Sequence, residues 1–154
     1  MRALRFPVGS LWLAMMIAAL AAGCGTEPAV QVTFETLRQY HSGTTVTIEG
    51  NLGLVPSFEP GNDISAVSLR DPNAGPDSGD ETTLWVWIRH RKHGTESQPN
   101  RMEPLGPMYE ASDLVVWRDD GTALGYGDRV KITGRLRYTE GGSPYIYPVT
   151  RIEQ

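Results

Sequence analysis

The chain has 154 residues, a single Cys and a formal net charge of −4 at pH 7. One Cys excludes an intramolecular disulfide, and the length suits one domain with a real core but not comfortably two. A net acidic balance disfavours a general nucleic-acid or anionic-membrane binder, whose phosphate-dominated affinity needs many net cations.

Arg2 and Arg5 precede an apolar run from Leu11 to Ala22, too short for an ordinary membrane span and followed by polar, turn-rich sequence. Residues 1–23 therefore read as a secretory signal peptide. Leu20-Ala21-Ala22-Gly23-Cys24 resembles a bacterial lipoprotein processing site, which implies acylation of Cys24 as the new N-terminus. Ordinary cleavage after Ala22 or Gly23, or an uncleaved anchor, are the alternatives. Gly25, where an inner-membrane retention signal would have Asp, implies by resemblance the outer membrane, facing the periplasm. Several acyl chains anchor stably where one is marginal. Cleavage would leave 131 residues, with 12 basic and 18 acidic side chains and a net charge of −6.

Residues 24–32 read as a lipidated tether and 33–154 as the folded domain. A short helix is expected over Thr33 to Tyr40, with Phe34 and Leu37 docked on the rest of the domain. The phrase Gly43-Thr44-Thr45-Val46-Thr47-Ile48-Glu49-Gly50-Asn51-Leu52 returns as Gly127-Asp128-Arg129-Val130-Lys131-Ile132-Thr133-Gly134-Arg135-Leu136. Both read G-x-x-V-x-I-x-G-x-L. Period-2 spacing puts the apolar residues on one face of a strand, and the internal Gly marks a bulge or bend. Strands are expected over Thr45 to Leu54, Ile64 to Arg70, Thr83 to Ile88, Asp113 to Arg118, Arg129 to Tyr138 and Tyr145 to Glu153. In the second of these, Ile64, Ala66 or Val67, and Leu69 compete for the core. The loop at Asp71, Asn73, Asp77 and Asp80 invites a calcium reading, but Pro72 and Pro76 interrupt it and a solvated hairpin loop is the plainer one. His90 and His93 are a weak zinc pattern at a strand end. The stretch 94–110 is long and irregular, and Met102, Leu105, Met108 and Tyr109 are apolar enough that part of it should fold back onto the core.

The order of short helix, bent strand, two further strands, long connection and two final strands resembles the OB-fold, a five-stranded Greek-key barrel. The second phrase followed by Tyr145-Ile146-Tyr147-Pro148-Val149-Thr150-Arg151-Ile152-Glu153 is similar to the closing hairpin of anticodon-binding-like OB domains and of small exported bacterial OB proteins. The expected fold is all-β, a five-stranded Greek-key OB barrel with a short N-terminal helix. Pro99 to Tyr109 stands where such domains usually place a helix. The resemblance implies a ligand surface at Ser68, Arg70, Trp85, Trp87 and Arg89, with residues 94–110 as a wall.

Trp85 and Trp87 face away from Leu84, Val86 and Ile88, and with nearby cations they form either a stacking platform or a face covered by other parts of the chain. Arg129, Lys131, Arg135 and Arg137 make a basic stripe on one strand face, suited to an acidic partner or to solubility. Acylated Cys24 would be no nucleophile, no Ser sits in a nucleophile elbow, and the carboxylates lie mostly in loops. The expectation is a non-enzymatic, lipid-anchored binding or adaptor module, with no catalytic residue, cofactor or metal. Its partners would be the membrane through the anchor and an envelope protein. The alternatives are an oligonucleotide or oligosaccharide binder using Trp85 and Trp87, and a structural envelope scaffold. Nucleic acid is the disfavoured partner, and oligomeric state is open.

Overall fold

A computed structural model describes residues 28–55, 63–74, 82–92 and 98–154. Cys24 and the rest of residues 1–27, the turn around Pro60-Gly61-Asn62, Asp77, Asp80 and His93 lie outside the described residues.

Five long strands close into a barrel: β2 (Thr45–Gly53), β3 (Ile64–Arg70), β4 (Thr83–Arg89), β8 (Arg129–Tyr138) and β9 (Pro144–Glu153). They neighbour one another in the order β2-β3-β4-β9-β8, and β8 pairs back to β2. β4 and β9 run parallel, and the other barrel pairs are antiparallel. Closure leaves the barrel strands no continuous free edge. β1 (Val30–Val32) adds alongside Val46–Ile48 of β2 in parallel. Thus the last residues of the segment expected as tether are paired into the sheet.

The repeated phrases supply β2 and β8, and they pair with each other. Val46 faces Gly134, Ile48 faces Ile132, and Gly50 faces Val130. The Gly43 N–H donates to Leu136 O and the Gly127 N–H to Leu52 O, both at 2.8 Å. The Leu136 N–H donates to Thr44 O and the Leu52 N–H to Asp128 O, both at 2.9 Å. The pair is thus a local two-fold about the Ile48–Ile132 step. Gly43 and Gly127 both adopt left-handed backbone, at φ +97° and +82°, as the turns before the strands require.

Val46, Ile48, Val67, Leu69, Leu84, Val86, Ile88, Val130, Ile132, Leu136, Ile146 and Ile152 fill the barrel. Register settles the phase of β3: Val67 lies opposite Val86 and Leu69 opposite Leu84, so Ala66 is on the other face. Ala66 is nonetheless buried, so both faces of this strand are covered. In β9, Ile146 and Ile152 are buried, but Thr150, in phase with both by simple alternation, is exposed. The β8–β9 ladder slips at Thr133/Gly134 and again between Gly134 and Leu136, placing two extra residues on β9 and breaking its alternation.

The helix expected over Thr33 to Tyr40 is replaced by one 3-10 turn, Leu37–Gln39. Thr33 and Thr36 bond reciprocally, each backbone N–H to the other's hydroxyl oxygen at 3.0 and 3.3 Å. This local closure competes with helix propagation in a segment too short to nucleate well. Leu37 is still buried and Phe34 packs against the core, as expected. The Tyr138 hydroxyl donates to Tyr40 O at 2.6 Å and fastens the turn to β8.

Between β4 and β8 the chain forms a small antiparallel sheet: β5 (Arg101–Met102), β6 (Val116–Trp117) and β7 (Ala123–Leu124). The strand expected over Asp113 to Arg118 shortens to Val116–Trp117 because Glu110 and Asp113 cap each other around a 3-10 turn at Ala111–Asp113. Met102, Leu105, Leu114, Val116 and Leu124 join the barrel core, each contributing about 1.5–3 kcal/mol if wholly buried. Met102 and Leu105 thus fold back as expected, while Met108 is 92% exposed. Asn100, at φ +57°, accepts the Ile152 N–H on its side-chain oxygen at 2.6 Å and ties this insertion to β9.

Candidate ligand groove

The outward face of β3, β4 and β9 carries the aromatic residues. Register aligns Ser68 with Trp85, Trp85 with Tyr145, and Tyr145 with Arg137, a row crossing four strands. Trp87 stands two residues along β4, about 7 Å from Trp85, and Tyr147 the same step along β9. Trp85 is 45% exposed, and Trp87, Tyr145 and Tyr147 are half-buried. The four rings form one wall of a groove of about 940 Å³. Further lining comes from Phe34, Leu37 and Arg38 of the N-terminal turn, Leu54 and Val55 beyond β2, Thr139 and Ser143 of the β8–β9 turn and Pro144 at the start of β9.

The structure brings together most of the residues expected at the ligand surface, but in different roles. Trp85, Trp87, Arg70 and Ser68 all line the groove. Ser68 is buried at 3% exposure and its hydroxyl donates to Leu54 O at 3.1 Å, so it braces the floor. Arg70 is exposed and its guanidinium makes no hydrogen bond or ion pair to a described residue. Arg89 shares the face, opposite Ile64, but lies outside the lining. The described part of 94–110 does not form the expected wall. Tyr109 is not in the lining, but donates its hydroxyl to the backbone oxygen of the lining residue Val55 at 2.5 Å.

The basic stripe divides. Arg129 is ion-paired with Glu49, and Lys131 sits in register between Glu49 and Glu153. Acidic residues of β2 and β9 thus stand beside both cations of that end. Arg135, opposite Thr45, and Arg137, opposite Tyr145, have no acidic register partner.

Phe34, Arg38, Tyr145 and Tyr147 were not expected at the site. The alternation in Tyr145-Ile146-Tyr147 already places both Tyr rings off the core face. That this face adjoins Trp85 depends on the parallel β4–β9 pair, which no local pattern signals.

Trp117 shows the opposite environment. The Arg91 guanidinium lies 4.7 Å from its ring centre, its Nε1–H donates to Glu103 at 3.0 Å, and Arg91 pairs with Glu103 at 3.2 Å. This Trp is used in packing the insertion.

Among the described residues no three His, Cys, Asp or Glu side chains gather to hold a metal ion. His90 Nε2 lies 2.7 Å from Ser65 Oγ, and the Asp71 carboxylate accepts the Asn73 N–H at 2.8 Å. Among the described residues, the groove lining contains Arg and Tyr as its ionisable side chains. No protein-family model, curated protein or solved structure matches the chain.

Proposed function

We propose that the protein is a lipid-anchored binding module of the cell envelope that holds its ligand by ring stacking in the β3–β4–β9 groove. One observation carries this: Trp85 is 45% exposed on a wall it shares with three other aromatic residues. Exposed rings gathered on a concave surface serve recognition far more readily than stability.

The barrel is of the Greek-key OB type in this proposal. Numbered along the chain, its strands neighbour in the order first, second, third, fifth, fourth, and only the third and fifth run parallel. The small β5–β7 sheet occupies the connection where that fold usually carries a helix. Cys24 would be the acylated residue, anchoring the domain to the outer membrane on its periplasmic side. β1 begins six residues later, a tether that spans at most roughly 22 Å and holds the barrel near the bilayer.

The experiment is a titration of the full-length protein in detergent with neutral and acidic oligosaccharides and short single-stranded DNA, read by tryptophan fluorescence. A saturable change is expected with at least one ligand class. Trp85→Ala should weaken it about tenfold or more, the loss of one stacking partner, with little effect on the thermal midpoint. Unchanged fluorescence across the panel, or a Trp85→Ala effect confined to stability, would sink the stacking role.

A further inference from the structure

The described ion pairs leave the groove aside. Arg91, Arg118, Arg129 and Arg151 each meet a carboxylate elsewhere on the surface. Arg38 and Arg70 are the cationic side chains among the described lining residues, and neither guanidinium pairs with a described residue. Arg70 also has a defined place. A Cβ added to Gly53 would lie 3.6 Å from its Nε, so the side chain passes over the glycine backbone at the end of β2. A net-acidic protein has thus placed two guanidinium groups without a described carboxylate partner beside a wall of four aromatic residues, of which Trp85 is the exposed one.

We infer that the groove takes an acidic oligosaccharide, its sugar rings stacked on Trp85 and Tyr145 and a carboxylate held by Arg70 and Arg38. This rests on the stacking role proposed above and adds the ligand's charge and class. Guanidinium forks match carboxylates in a bidentate geometry. Thr83 and Ser143 bring hydroxyls to the lining, suited to a ligand rich in hydroxyl groups. A volume of about 940 Å³ gives room for several rings.

Full-length protein in detergent is titrated with trigalacturonate and trimannuronate, each as the free acid and as the neutral methyl ester, and with a thymidine hexanucleotide. Tryptophan fluorescence and calorimetry are the readouts. At least one free-acid trimer should bind saturably, about tenfold or more tighter than its ester, with affinity falling as salt rises. Arg70→Gln should remove that preference by weakening the free acid far more than the ester, and Arg38→Gln should reduce it. Equal binding of acid and ester, or no effect of either Arg variant, overturns the arginine anchor while the stacking role survives. A response to the hexanucleotide alone overturns the saccharide class and also leaves stacking intact. No response to any probe, here or in the broader panel, overturns both.

Discussion

Gly50 and Gly134 occupy the same place in the two copies of the repeated phrase, and each sits where a side chain has no room. A Cβ on Gly134 would collide with Ile146 Cγ2 and lie 2.7 Å from Pro148 O, inside the bulged stretch of β9. One on Gly50 would lie 2.6 Å from Leu69 Cγ and 2.7 Å from Arg70 O. Backbone and fully buried neighbours cannot retreat cheaply. Gly134→Ala is expected to lower stability by about 1–3 kcal/mol, as core overpacking does, read by urea unfolding at constant m-value. The bend at these glycines was legible in the sequence, because Gly interrupts an otherwise regular alternation. Which atoms crowd them was not, since Pro148 and Ile146 come from another strand.

At the scale of elements, β6 and β7 depend on the turn between them. The Thr122 N–H donates to Asp120 Oδ1 at 2.9 Å, and Arg118 pairs with Asp120 at 3.0 Å. The Thr122 hydrogen bonds come first among the causes that hold the Asp120 carboxyl below its ordinary value. A depressed folded pKa means the carboxylate's stabilisation is complete above the unfolded value, about 3.9, and is lost as pH falls through the lower folded value. Acid titration by NMR should therefore show the Asp120 carboxyl and Thr122 amide shifting together below pH 3.9. A midpoint at or above the ordinary value would contradict the turn geometry. The long strands were legible here, with β3 and β8 matching their expected spans residue for residue. The failures have local causes: paired Thr hydroxyls stop the N-terminal helix, and the Glu110–Asp113 capping box shortens the strand expected before the hairpin. Repetition of the phrase was plain in the sequence, but not that its copies lie side by side as antiparallel neighbours.

For the whole molecule, the acylation proposed at Cys24 makes a direct prediction. Cys24→Ser should move the protein from the membrane fraction to the soluble fraction and remove the acyl mass from its N-terminal peptide, since a hydroxyl cannot form the thioether. Retention in the membrane by the Ser variant would argue against the lipid anchor. Strand alternation and composition determined an all-β domain, the inward residues of β2, β4 and β8 and the outward direction of Trp85 and Trp87, because these follow from neighbours one or two positions away. Tertiary structure decided the groove. Tyr145 reaches Trp85 through the parallel β4–β9 pair, and Arg38 reaches the same cavity from a turn outside the barrel strands. It also decided which cations are neutralised, because Glu49 lies in β2 and Arg129 in β8, 80 residues apart in the chain and joined only by barrel closure.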